Sequence, residues 1–162
     1  MPAFITIGRV LFAVLFIVSG AFKLLDIAAT TQMITDKVVI PGLLTPYTTE
    51  LEGMSGMPMP QMLAIAAGAF ELICGLMIAL NFGSRFFSIL LIIFVAAATF
   101  YFHDFWNQPA GSDGTMVLDA LKNLSIIGAL FIIAGYGRSS QTPEPAYGDV
   151  LPVRRHGVTL TP

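Results

Sequence analysis

The stretch that most constrains this chain is 61–82, QMLAIAAGAFELICGLMIALNF. It is apolar for about 20 residues, long enough to cross a bilayer as an α-helix. Near its middle stands one carboxylate, Glu71. A charge at that depth costs at least ~2.5 kcal/mol. Either another apolar stretch supplies a partner for Glu71, or the carboxyl stays protonated and hydrogen-bonds a neighbour or exchanges a proton.

Three further stretches reach bilayer length: 4–25, 85–103 and 118–136. Lipid offers exposed backbone no hydrogen-bond partner, so each reads as a helix. The expected fold is all-α and integral to the membrane: an antiparallel four-transmembrane-helix bundle over 1–138. An extended outer loop, 26–60, joins the first two helices, and a polar, Pro-rich cytoplasmic tail occupies 139–162. Composition agrees. The chain is 56% hydrophobic and 11% charged, where soluble domains carry about 25% charged residues. The eight Lys and Arg are scattered and form no stripe suited to nucleic acid. A single cysteine, Cys74, excludes an internal disulfide, and no Cys/His spacing fits a zinc site. The run from Phe4 to Val18 has no Lys or Arg before it, so it reads as a retained helix rather than a cleaved signal.

Arg9, Arg85, Arg138, Arg154 and Arg155 fall on the side of both chain ends, which the positive-inside rule places in the cytoplasm. The 26–60 loop is too long for a simple connector. It holds an apolar segment, Val38 to Leu44, broken by Pro41 and Gly42 and followed by Tyr47, that suits the outer membrane surface or a partner. Met54, Met57, Met59 and Met62 follow. Four thioethers suit Cu(I), but an adaptable apolar contact surface is the simpler reading.

Depth arithmetic ranks partners for Glu71. With the inner ends of the first two spans flush at Phe4 and Phe82, Arg9 lies ~8 Å from the inner face and Glu71 ~16 Å, at 1.5 Å per residue. Lys23 lies roughly 3 Å from the outer face. The expectation is a buried ion pair between Arg9 and Glu71. A second polar level gathers at the outer mouth: Lys23, Asp26, His103, Asp104, Asp119, Lys122 and Asn123. It reads as ion pairs pinning helix ends, or as a pocket that receives a quinone head. No residue declares itself catalytic; Glu71 and His103 are candidate proton relays. Intrinsic haem is not expected, since the only histidine besides His103 is His156 in the tail. Gly8, Gly20, Gly68, Gly75, Gly128 and Gly135 mark places where helices can approach closely.

Taken in order, these features resemble the DoxX-type small membrane proteins. The matching residues are Gly8-Arg9 and Ser19-Gly20-Ala21-Phe22-Lys23-Leu24, then Gly56, Pro58 and Pro60 before Glu71 and Gly75. His103, Lys122-Asn123-Leu124 and Gly135-Tyr136-Gly137-Arg138-Ser139 complete the pattern over roughly residues 5 to 139. The long first loop and the tail depart from it. The resemblance implies a four-helix protein of the bacterial inner membrane tied to redox systems. Some relatives are subunits of a thiosulfate:quinone oxidoreductase, and others associate with respiratory or oxidative-stress assemblies. The family's polar positions map onto Arg9, Glu71, Lys122 and Asn123. The reading that follows is an accessory membrane subunit of a quinone-linked redox complex, in contact with lipid and with other subunits, with no intrinsic cofactor. The alternatives are a quinone-reactive oxidoreductase subunit, and a small transporter using Glu71 as its ion site.

Overall fold

The computed structural model describes residues 2–107 and 114–136. Among them are six α-helices: α1 (Pro2–Leu25), α2 (Ile27–Lys37), α3 (Thr45–Ser55), α4 (Met59–Ala79), α5 (Ser84–Phe102) and α6 (Thr115–Tyr136). Four of these, α1, α4, α5 and α6, are long and apolar enough to cross a membrane. The expected four-helix membrane bundle is thus the fold. The 139–162 tail lies outside the described residues, as do Gly137 and Arg138 at the close of the last span.

Local chemistry sets the boundaries. Pro58 stands at the N-cap of α4 and Pro60 in its first turn, where a missing N–H costs nothing. At the other end Asn81 and Gly83 take positive φ, 58° and 55°, and the chain reverses into α5. Asparagine is one of the few non-glycine residues that visit this region readily. The Ser84 hydroxyl donates to Asn81 Oδ1 at 3.1 Å and holds the turn. Helix α4 therefore ends at Ala79, short of the expected Phe82.

The 26–60 loop is mostly helical. Asp26 alone separates α1 from α2, and its side chain caps α2 by accepting from the Ala29 N–H at 3.0 Å. Helix α2 packs against α4 and buries Thr30 and Ile34. Helix α3 buries nothing. Its C-cap is Gly56, at φ 68°, and Glu52 Oε1 accepts the Met59 N–H at 2.6 Å, tying α3 to the first turn of α4.

Glycine sets the packing of α1 on α4. A Cβ on Gly20 would lie 2.6 Å from both the Gly68 carbonyl oxygen and the Leu72 nitrogen. One on Gly68 would meet Leu24 at 2.9 Å, and one on Gly75 would meet Ile17 at 2.9 Å. Backbones this close leave no room for a side chain. The other three candidate glycines, Gly8, Gly128 and Gly135, face open space, so they mark no close approach within the chain. Phe70 of α4 meets Phe94 of α5 at 5.2 Å between ring centroids. Asn123 of α6 donates to the Thr99 hydroxyl of α5 at 3.0 Å, and Thr99 in turn donates to the Val95 carbonyl. All four spans feed one core: Ala13 and Phe16, Cys74 and Ile78, Leu91 and Val95, and Leu130.

Candidate functional site

The glycine contacts also fix the register of α1 against α4. Leu24 meets Gly68, Gly20 meets Leu72 and Ile17 meets Gly75. Carried along both helices, this antiparallel register sets Glu71 level with Ala21 and Ala79, the last residue of α4, level with Ala13, so Arg9 lies about 6 Å beyond the end of α4. The end of the bundle holding α2 and α3 is called here the loop end, and the end holding Asn81 and Gly83 the turn end. On α4 Glu71 stands twelve residues from Met59 and eight from Ala79, level with the last turns of α1 at the loop end.

Its partner is Lys23. The ammonium donates to Glu71 Oε2 at 2.9 Å and to the Ser19 hydroxyl, one turn back on α1, at 2.6 Å. Glu71 is buried, only 5% exposed. The expected Arg9–Glu71 pair is not formed. Arg9 is twelve residues from the level of Glu71, roughly 18 Å along the axis, beyond the reach of its side chain. The error lay in taking the helix ends as flush. The glycines slide α1 by six residues, about 9 Å, from that alignment. Arg9 Nε is instead buried without a hydrogen-bond partner among the described residues.

Lys23 and Glu71 face a cleft of about 430 Å³ between α1, α2, α4 and α5. Volumes of ~300–1,000 Å³ are usual for sites that hold small molecules. The walls are mostly apolar: Met33 and Ile34 from α2 and Val38 at its C-cap, Leu63 and Ala67 from α4, Phe94 and Phe102 from α5. Thr30, Tyr101 and His103 bring further polar groups to it.

Hydrogen-bond accounting shows what the ion pair offers. An ammonium has three donors, and Lys23 uses two, one on Ser19 and one on Glu71. Glu71 accepts through Oε2, and its other oxygen takes no hydrogen bond from the described residues. The pair thus presents one donor and one acceptor to a guest in an apolar cleft.

The remaining members of the outer-mouth set do not join this site as one pocket. Asp26 caps α2. Lys122 bonds Asp119 at 2.8 Å on the exposed side of α6, and Asn123 bonds Thr99. Asp104 accepts from the Asn107 side chain at 3.4 Å. Only Lys23 and His103 of that set line the cleft. Of the four methionines, Met54 is 80% exposed near the end of α3, while Met57, Met59 and Met62 are half-buried where the chain enters α4. Sequence reasoning named Glu71, Lys23 and His103 but missed Ser19, Thr30 and the apolar wall of α2. The spacing of Ser19 and Lys23, four apart on one helix, was the available signal for the first of these.

Comparison with known proteins agrees with this architecture. The DoxX family model matches residues 4–104, which include α1 to α5 and His103. A curated relative, Inner membrane protein YphA of Escherichia coli (strain K12), is 26% identical over 133 residues, 82% of each chain. No solved structure matches. With four membrane-spanning helices and a family match over more than half its length, this chain is a multi-pass membrane protein and belongs to the DoxX family.

Proposed function

We propose that the protein is an accessory subunit of a quinone-linked redox complex in the bacterial inner membrane, and that the cleft at its loop end receives the quinone head. The observation that carries this reading is the spare donor on Lys23 and the spare acceptor on Glu71 at an apolar cleft. A quinone accepts hydrogen bonds at its carbonyls, and a quinol donates them from its hydroxyls. A paired ammonium and carboxylate serve both states without a net change of charge. The aliphatic and aromatic walls suit the ring and the start of an isoprenoid tail. His103 and Glu71, on the same cleft, are the groups available to relay a proton.

The scaffold part of the proposal rests on the loop. Val39, Leu43, Tyr47 and Met54 are 83%, 88%, 66% and 80% exposed, an apolar surface of the kind that partner subunits cover. The grouping of Arg9 and Arg85 at the turn end supports placing the chain ends in the cytoplasm, and the inner-membrane relative supports the location. The alternative of Glu71 as a transported-ion site is disfavoured by Lys23, which already neutralises it.

Trp106, the chain's single tryptophan, follows His103 by three residues and provides a readout. Titrating the purified protein with a short-chain benzoquinone is expected to quench Trp106 fluorescence saturably, and Lys23→Met is expected to abolish saturation. Quenching that rises linearly and equally in both proteins would reject the quinone site. Purification in mild detergent tests the subunit reading, which fails if the protein emerges alone with no oxidoreductase or cytochrome.

A further inference from the structure

The turn end holds a buried polar group that the cleft does not explain. Arg9 lies on the packed stripe of α1, one turn before Ala13 and two before Phe16, both buried. Its Nε is shielded from solvent and has no hydrogen-bond partner among the described residues. A guanidinium keeps its charge, so it cannot relieve this by losing a proton.

No described carboxylate reaches it. Asp26, Asp36, Glu50 and Glu52 lie on or beside α2 and α3 at the loop end, and Asp104 and Asp119 lie where α5 ends and α6 begins. Glu71 is committed to Lys23. The register instead sets Arg9 about one turn beyond the end of α4 at Ala79, at the turn end of the bundle. Arg85 lies in the first turn of α5 and is exposed. Helices α1 and α5 both pack on α4, so both guanidinium groups belong to the turn end of the bundle. In a bundle spanning the bilayer, that end faces the headgroup layer of one leaflet.

We infer that Arg9, with Arg85 at the same end of the bundle, forms a binding site for the phosphate of an anionic phospholipid in the leaflet at the turn end. The guanidinium fork matches phosphate oxygens in a bidentate geometry that an ammonium cannot reproduce. The lipid phosphate supplies the acceptor that Arg9 lacks among the described residues. The acyl chains lie along the exposed apolar side chains of α1 that follow Arg9 into the bilayer, such as Leu11, Val14 and Leu15. Juxtamembrane basic residues each add attraction toward an anionic surface, so Arg85 strengthens the site without being its centre.

The test uses delipidated full-length protein returned to phosphatidylglycerol or to phosphatidylcholine, with bound lipid counted by native mass spectrometry and melting followed alongside. Phosphatidylglycerol is expected to be retained roughly tenfold more tightly, a factor within reach of one charge-assisted hydrogen bond, and to raise the melting temperature. Arg9→Gln should erase the preference, Arg9→Lys should keep only part of it, and Arg85→Gln should weaken it. Lys122→Gln, at the other end of the bundle, should leave it unchanged. Equal retention of the two lipids by the native protein would overturn the inference. So would an unaltered preference in Arg9→Lys, should Arg9→Gln fail to fold, or full stabilisation by millimolar inorganic phosphate without lipid.

Discussion

The ammonium of Lys23 stands 2.9 Å from Glu71 Oε2, joining α1 to α4 across 48 positions of sequence. Breaking a buried pair from one side leaves an uncompensated charge, which costs more than the pair contributes as a unit. Lys23→Met is therefore expected to destabilise the bundle by about 3 kcal/mol. The double change Lys23→Met with Glu71→Met should recover most of that loss. Thermal melting of the three proteins in one detergent gives the comparison, and a double variant as unstable as the single one would contradict it.

Gly20 gives a sharper packing test. A single methyl there meets backbone atoms at 2.6 Å, and backbone cannot rotate away as a side chain can. Gly20→Ala should cost about 1–3 kcal/mol, the range for overpacking. Gly128→Ala, with nothing within 4 Å, should fall within about 0.5 kcal/mol of the native protein. Equal effects at the two sites would show that α1 and α4 do not touch as described.

The Asn123–Thr99 hydrogen bond links α5 and α6 at 3.0 Å. Interhelical hydrogen bonds inside membranes average about 0.6 kcal/mol in double-mutant cycles. A cycle of Asn123→Leu and Thr99→Val should return a coupling of about that size. A coupling near zero would mean that the two side chains find other partners.

Glu52 caps the exposed backbone of α4 by accepting the Met59 N–H at 2.6 Å. A carboxylate at a helix N-terminus also meets the favourable end of the helix dipole. Glu52→Ala should cost about 1 kcal/mol and release α3, which is seen as faster proteolysis or hydrogen exchange over residues 45–55. Unchanged exchange there would show that α3 is held by something else.

Much of this was readable from residues alone. Four apolar runs of about 20 residues specify four spans, because a helix satisfies its own backbone hydrogen bonds in lipid at that length, and the solitary Glu71 announces a partner. The identity of that partner was not readable, because it depends on how far one helix slides past the next. Helix ends do not determine that slide. Gly20, Gly68 and Gly75 do, by interlocking, and their role emerges only once both helices are in place. Asp26 is an N-cap residue by type, but nothing in one dimension shows that the helix it opens forms a wall of the cleft. The polar residues of the outer mouth share a depth but not a side of the bundle. Sequence spacing conveys depth well and lateral position poorly.

A lysine and a glutamate paired inside a membrane sum to zero charge. A transmembrane voltage exerts about 2.3 kcal/mol per 100 mV on a single charge carried fully across, but it exerts almost no net force on a tight couple. The same cancellation extends to an uncharged guest seated beside it. Occupancy of such a cleft would follow how much guest is dissolved in the bilayer, and would stay indifferent to whether the cell is energised.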